Sequence, residues 1–133
     1  MKYKLLFIAL MTAMAVQAQT VKTKSVSMFG MATSFKDSVV YVTPIHSVPG
    51  ARVEGKTGIL VNRATYTEQL RYELNNKGLT DRTIVVFFNR DDKKLEKRRQ
   101  QLQKRYIQKL HYQWKELKGQ EFLFKSVTEN TLP

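Results

Sequence analysis

The sequence predicts an α+β domain: one small mixed sheet built in the order ββαβαβ, with two helices mainly on one face. Three observations carry this. Two β-rich runs, Ser25–Ser34 and Val39–Thr43, flank a short polar turn. A third run, Thr83–Phe88 (TIVVFF), is apolar on alternate and intervening positions alike. An apolar period of 3.6 precedes that run and another follows it.

The elements follow in chain order. Ser25–Ser34 (SVSMFGMATS) alternates loosely, and Lys36-Asp37-Ser38 supplies the turn into Val39–Thr43, so the pair reads as a hairpin. Pro44 and Pro49-Gly50 then break regular structure. Thr65-Tyr66-Thr67-Glu68 has the form of a capping box. The Thr65 hydroxyl would accept from the amide three residues on, and Glu68 would reach back to the cap amide. Tyr66, Leu70 and Leu74 recur at i, i+4 and i+8 and define one apolar helix face. Gly78 with Leu79 suits a helix stop. Thr83–Phe88 reads as a central strand covered on both faces.

A long second helix is expected next, capped by Asn89, with Asp91 and Asp92 in its first turn and Gly119 at its end. On its projection Leu95, Leu102, Tyr106, Leu110, Trp114 and Leu117 share one arc, with lysines opposite. Arg99 falls inside the apolar arc, where its stem would pack and its guanidinium would seek a carboxylate or water. Tyr112 falls on the basic side, near Arg105 and Lys109. Glu121–Thr128 reads as a last strand, returned parallel to Thr83–Phe88 by a right-handed crossover.

The first 18 residues read differently. Met1-Lys2-Tyr3-Lys4 is a positive start, Leu5–Ala15 an apolar run, and Val16-Gln17-Ala18 a cleavage sequence of small or slender residues. Residues 1–18 are therefore expected to be a secretory signal peptide of bacterial style, with one domain over 19–133 exported to the periplasm or the exterior. The apolar run is shorter than the ~20 residues of a membrane span, and no second one follows, so no transmembrane segment is expected in the mature chain. The chain has no cysteine, which excludes disulfides, thiolate metal sites, a cysteine nucleophile and a lipidated cysteine.

Charge is the strongest pointer to a partner. The formal net charge is +12, and residues 90–118 hold eleven bases against four acids. Such a field attracts polyanions, whether nucleic acid, anionic lipid or an acidic envelope polymer. Lys93, Lys97, Lys104 and Arg105 are the candidate anion-binding residues, with Tyr112 as a ring on which a base could stack. A solvated helix face kept basic for solubility is the plainer reading of the same residues.

Other motifs are weaker. Gly50–Thr57 matches the phosphate-loop pattern G-x-x-x-x-G-K-[ST], but that loop works only between a strand and a helix that starts within it. Here Gly58-Ile59-Leu60-Val61 follows, a poor helix start, so the stretch reads as a connection carrying Arg52 and Lys56. His46 and His111 share no ligand spacing, and His46 reads as a surface or turn residue, so no metal and no cofactor is implied.

Two resemblances stand beside these readings. Met28-Phe29-Gly30-Met31-Ala32-Thr33-Ser34-Phe35-Lys36-Asp37-Ser38, with Val40-Tyr41 after it, resembles the opening of a group of small exported bacterial proteins of unknown function. The layout of hairpin, helix, strand and helix also resembles GIY-YIG endonucleases. That resemblance implies Tyr41 as a catalytic tyrosine, Arg71 as the helix arginine and Glu96 as the metal-binding glutamate. This chain departs from that family at Met28-Phe29-Gly30, which lacks a tyrosine, and at Tyr41-Val42-Thr43, which lacks the glycine. Read from the residues themselves, Glu96 is first a partner of Arg99 one helical turn away on a basic helix. The leading expectation is a non-enzymatic exported module with a basic helix. A variant metal-dependent nuclease and a ligand-free structural domain are the alternatives.

Overall fold

The computed structural model describes residues 25–127, so the expected signal peptide lies outside the described residues. Strand β1, Val26–Thr33, is the axis of the fold. On one side it pairs along its length with the antiparallel strand β4, Thr83–Asn89. On the other side two strands share its edge in succession. β2, Val39–Val42, pairs with Met31 and Ala32, and β3, His46–Val48, pairs with Val26, Ser27 and Met28. Beyond β2 lies β5, Gln113–Glu116, parallel to it with Val40 opposite Trp114. Helix α1 spans Arg63–Asn76 and helix α2 spans Asp92–Lys104, followed by a π-helical turn, Arg105–Lys109. The result is a mixed five-stranded α+β sheet in the expected ββαβαβ order, with the short β3 added.

The edge changes partner at Thr43, which is fully buried. Its amide donates to the Gly30 carbonyl at 2.9 Å, and its hydroxyl accepts from the Gly30 amide at 2.8 Å. The side chain thus stands in for a missing strand neighbour, and neither backbone group of Gly30 is left unpaired between β2 and β3.

The two helices lie on opposite faces, not mainly on one. Val26, Met28 and Ala32 of β1 join Tyr66, Leu70 and Leu74 of α1 in one core. Phe29 and Met31 join Val40, Val42 and Leu95 and Leu102 of α2 in the other. Successive strand residues point to opposite faces, so a strand buried at Val26 through Ala32 must be covered twice. β1 is accordingly the central strand, and β4 is an edge whose residues are mostly half-buried. Gly30 lets α1 approach. A Cβ there would sit 2.5 Å from Leu70 Cδ2 and 3.0 Å from the Phe124 ring.

Local chemistry explains most boundaries. α1 begins at Arg63 after Asn62 in the left-handed region (φ 62) and has no side-chain cap. Thr65 is therefore already inside the first turn, and Glu68 pairs with Arg71 and not with a cap amide. The expected stop holds: Gly78 takes φ 78, its amide donates to Asn75, and the Leu79 amide donates to Leu74 at 2.8 Å, the paired bonds of a Schellman motif. At α2 the cap is Asp91, not Asn89. The Asp91 carboxylate accepts from the amides of Lys93 and Lys94, while Asn89 accepts from the Asp91 amide.

The C-terminal third departs most from expectation. The helix does not run to Gly119. Beyond the π turn, His111 takes φ 57 and reverses the chain, and Gln113–Glu116 becomes β5. The returning strand pairs with β2 and not with β4. Glu121–Val127 forms no strand, yet Phe122 and Phe124 are buried on the α1 face. Side chains hold this segment in place of a ladder. Gln69 donates to the Lys125 carbonyl and accepts from its amide, both at 2.9 Å. His46 Nε2 accepts from the Phe124 amide at 2.8 Å, and its ring stacks on Phe124. His46 is thus half-buried and structural, with Nδ1 placed 3.3 Å from the Pro44 carbonyl to which it donates. Among the described residues no helix is long and apolar enough to cross a membrane.

Candidate functional site

Helix periodicity divides the outward surface of α2 into two flanks. Lys94, Lys97 and Arg98 face the open edge of β4, together with Gln101. Asp92, Glu96 and Arg99 face Pro44, Ile45 and Glu116 on the other flank. The β4 flank thus carries bases without acids, while the acids of the helix lie on the other flank with Arg99. Asp92 accepts from the buried Ser27 hydroxyl and fastens the helix start to β1.

Arg99 is the anchor between the flanks. It is 16% exposed, and its Nε and Nη2 donate to the Thr43 carbonyl at 3.3 and 3.2 Å while Nη2 also donates to Glu116 at 2.9 Å. The guanidinium carbon lies 5.9 Å from the Phe29 ring and 5.8 Å from the Trp114 ring. Burial pushes the Glu116 carboxyl up, but hydrogen bonds from Trp114 Nε1 and Arg99, with the charge of Arg99, outweigh it and hold the carboxyl below its ordinary range. Arg99 thus finds the carboxylate its position in the apolar arc called for, and that partner is Glu116, not Glu96.

The cations at the end of α2 converge. Arg98, Lys104, Arg105 and Lys109 line an open concavity of about 590 Å³ with Gln101, Gln108, Leu102 and Leu110, and no carboxylate is among the lining residues. The π turn shapes it. Its i+5 bond, Leu110 amide to Arg105 carbonyl at 3.1 Å, widens the helix end, and wide turns of this kind recur at functional sites. Ile107 and Leu110 are large apolar side chains left exposed beside these charges.

The sequence-predicted residues separate accordingly. Lys104 and Arg105 lie in this concavity. Lys97 lies instead along the β4 edge, and the exposed Lys93 lines neither. Tyr112 is off the helix altogether. It packs edge-on against Tyr106 at 5.3 Å, half-buried against the α2 core, and is not among the residues lining the concavity. Arg98 and Lys109 were not singled out by sequence, although their spacing to Gln101 and Arg105 on one helix flank was there to be read.

Tyr41, Arg71 and Glu96 do not come together. Tyr41 packs with the α1 core and lies under the Arg82 guanidinium at 4.7 Å. Arg71 pairs with Glu68 on α1. Glu96 is on α2, across the sheet. Among the described residues no group of three or more His, Cys, Asp or Glu side chains could hold a metal ion. The Gly50–Thr57 stretch folds back on itself: Val53 bridges Leu60, the Glu54 amide donates to Ile59, and Gly58 takes φ 68. No helix starts at Lys56-Thr57, so the amides are not presented as a phosphate cradle. No family model, curated protein or solved structure matches this chain.

Proposed function

We propose that the protein is an exported, non-enzymatic module that holds an anionic polymer through the cations at the C-terminal end of α2. The observation that supports this reading is the concavity in which Arg98, Lys104, Arg105 and Lys109 converge with no carboxylate among them. Four cations sharing one low-lying surface focus the field of an already basic chain, and each phosphate or sulfate they neutralise releases a counterion. The extended charge of a polymer matches an open surface better than a small anion would. Export through residues 1–18 would place that surface among envelope polymers.

Retention on immobilised heparin and on DNA, measured against salt, tests it. The wild type is expected to elute well above the salt that releases neutral proteins. Neutralising Lys104, Arg105 and Lys109 together should lower the elution salt and flatten the salt slope by roughly one unit per lost contact. Wild-type passage without retention would reject the proposal and leave a structural domain without such a ligand.

A further inference from the structure

Strand β4 has an open edge. Among the described residues its backbone pairs with β1 alone. The seven residues Thr83–Asn89 include no proline, no glycine and no charged side chain, the devices by which edges are usually blunted. A concavity of about 460 Å³ runs along this edge, floored by Val85 through Asn89. Its walls are Arg63 at the start of α1 and Lys94, Lys97 and Arg98 of α2. Since α1 and α2 cover opposite faces, a hollow lined by both must straddle the edge itself. The Phe87 ring stacks on Phe29 at 4.9 Å and lies near Arg98, so the floor is preformed.

We propose that β4 takes up an extended acidic peptide as an added strand. The free backbone groups would supply main-chain hydrogen bonds. Alternate side chains of the added strand point to opposite faces, so carboxylates on one face would meet Lys94, Lys97 and Arg98, and those on the other would meet Arg63. Charge selects this occupant over a second copy of the chain, because joining two β4 edges brings both cationic walls together. The site adjoins the basic concavity, sharing Arg98 and Gln101 with it, but Lys104, Arg105 and Lys109 lie outside the β4 groove and Lys94 and Lys97 lie outside the concavity, so the two can be tested apart.

The probe is an alternating valine–glutamate peptide long enough to pair all seven residues of β4, compared with the same peptide methylated on alternate backbone nitrogens. Titration into the full mature chain should show binding of the first and none of the second, with slowed amide exchange confined to β4. Lys94→Gln with Lys97→Gln should weaken binding roughly tenfold, as two rim ion pairs would, whereas Lys104→Gln with Arg105→Gln should leave it unchanged. Equal binding of the methylated peptide would overturn strand addition. So would protection of β4 that grows with protein concentration in the absence of peptide, which would assign the edge to a second copy.

Discussion

Arg99 and Glu116 meet at 2.9 Å across the α2 face of the sheet, 17 residues apart in the chain. The same guanidinium also donates to the Thr43 carbonyl. One side chain therefore ties a helix, the β5 strand and the point where β1 changes neighbours.

Removing that side chain should cost more than a surface ion pair. Arg99→Ala loses its charged hydrogen bonds and its packing over Phe29 and Trp114, and leaves the Thr43 carbonyl without the guanidinium. Loss of about 2–4 kcal/mol is expected. Glu116→Gln should cost under about 1 kcal/mol, because Glu116 is half exposed and screened. Urea denaturation of the two variants checks the ratio; equal losses would show that Arg99 acts only through Glu116.

Acid should act on the same pair. The Glu116 carboxyl is held below its ordinary range in the folded chain. Its contribution is therefore complete above the unfolded carboxylate range and is lost as pH falls through the depressed folded value. The stability difference between wild type and Glu116→Gln should shrink toward zero below that point. Lys77 and Glu121 shift in opposite senses, Lys77 raised and Glu121 lowered, each first by the hydrogen bond between them. Their contribution should fade at both the alkaline and acid ends, and added salt should weaken it since Glu121 is exposed.

The close approach of α1 to β1 should be sensitive to one methyl group. Gly30→Ala places a Cβ against Leu70 and Phe124, both buried, and should destabilise by about 1–3 kcal/mol. Combining it with Leu70→Ala, which alone opens a cavity, should cost less than the sum of the two single changes. Thermal unfolding of the cycle measures the coupling; strict additivity would mean the contact relaxes elsewhere.

Short-range chemistry was the legible part of this fold. The apolar period of Tyr66, Leu70 and Leu74, and the Gly78-Leu79 stop, need nothing beyond their own neighbours, and both are realised. The end of α2 was not legible. Tyr106, Leu110, Trp114 and Leu117 keep a helical spacing with no glycine or proline among them, yet Trp114 lies opposite Val40 in the sheet. Tertiary pairing overrides the period there, and His111 absorbs the reversal in a left-handed conformation that few non-glycine residues adopt. The placement of the helices was half-legible. Loose alternation in Val26–Thr33 is what burial on both faces looks like, with Gly30 as the mark of close approach. Composition located the basic segment. Only the fold shows that Lys104 and Arg105 converge with Arg98 and Lys109, while Lys97 turns toward β4.

The last described residues are held by Gln69, His46 and Tyr66 and not by a ladder. Each of those fasteners is a side chain on an element that stands without the segment it grips. With no ladder hydrogen bonds to hold it, Glu121–Val127 is expected to open at lower free energy than the paired strands, at the cost of exposing Phe122 and Phe124. Its departure would bare Phe122, Phe124 and the α1 face beneath them while the sheet, β4 edge and basic surface stayed whole. Under proteolysis the protein should thus yield a trimmed but still folded body, with the first cuts falling after Gly119.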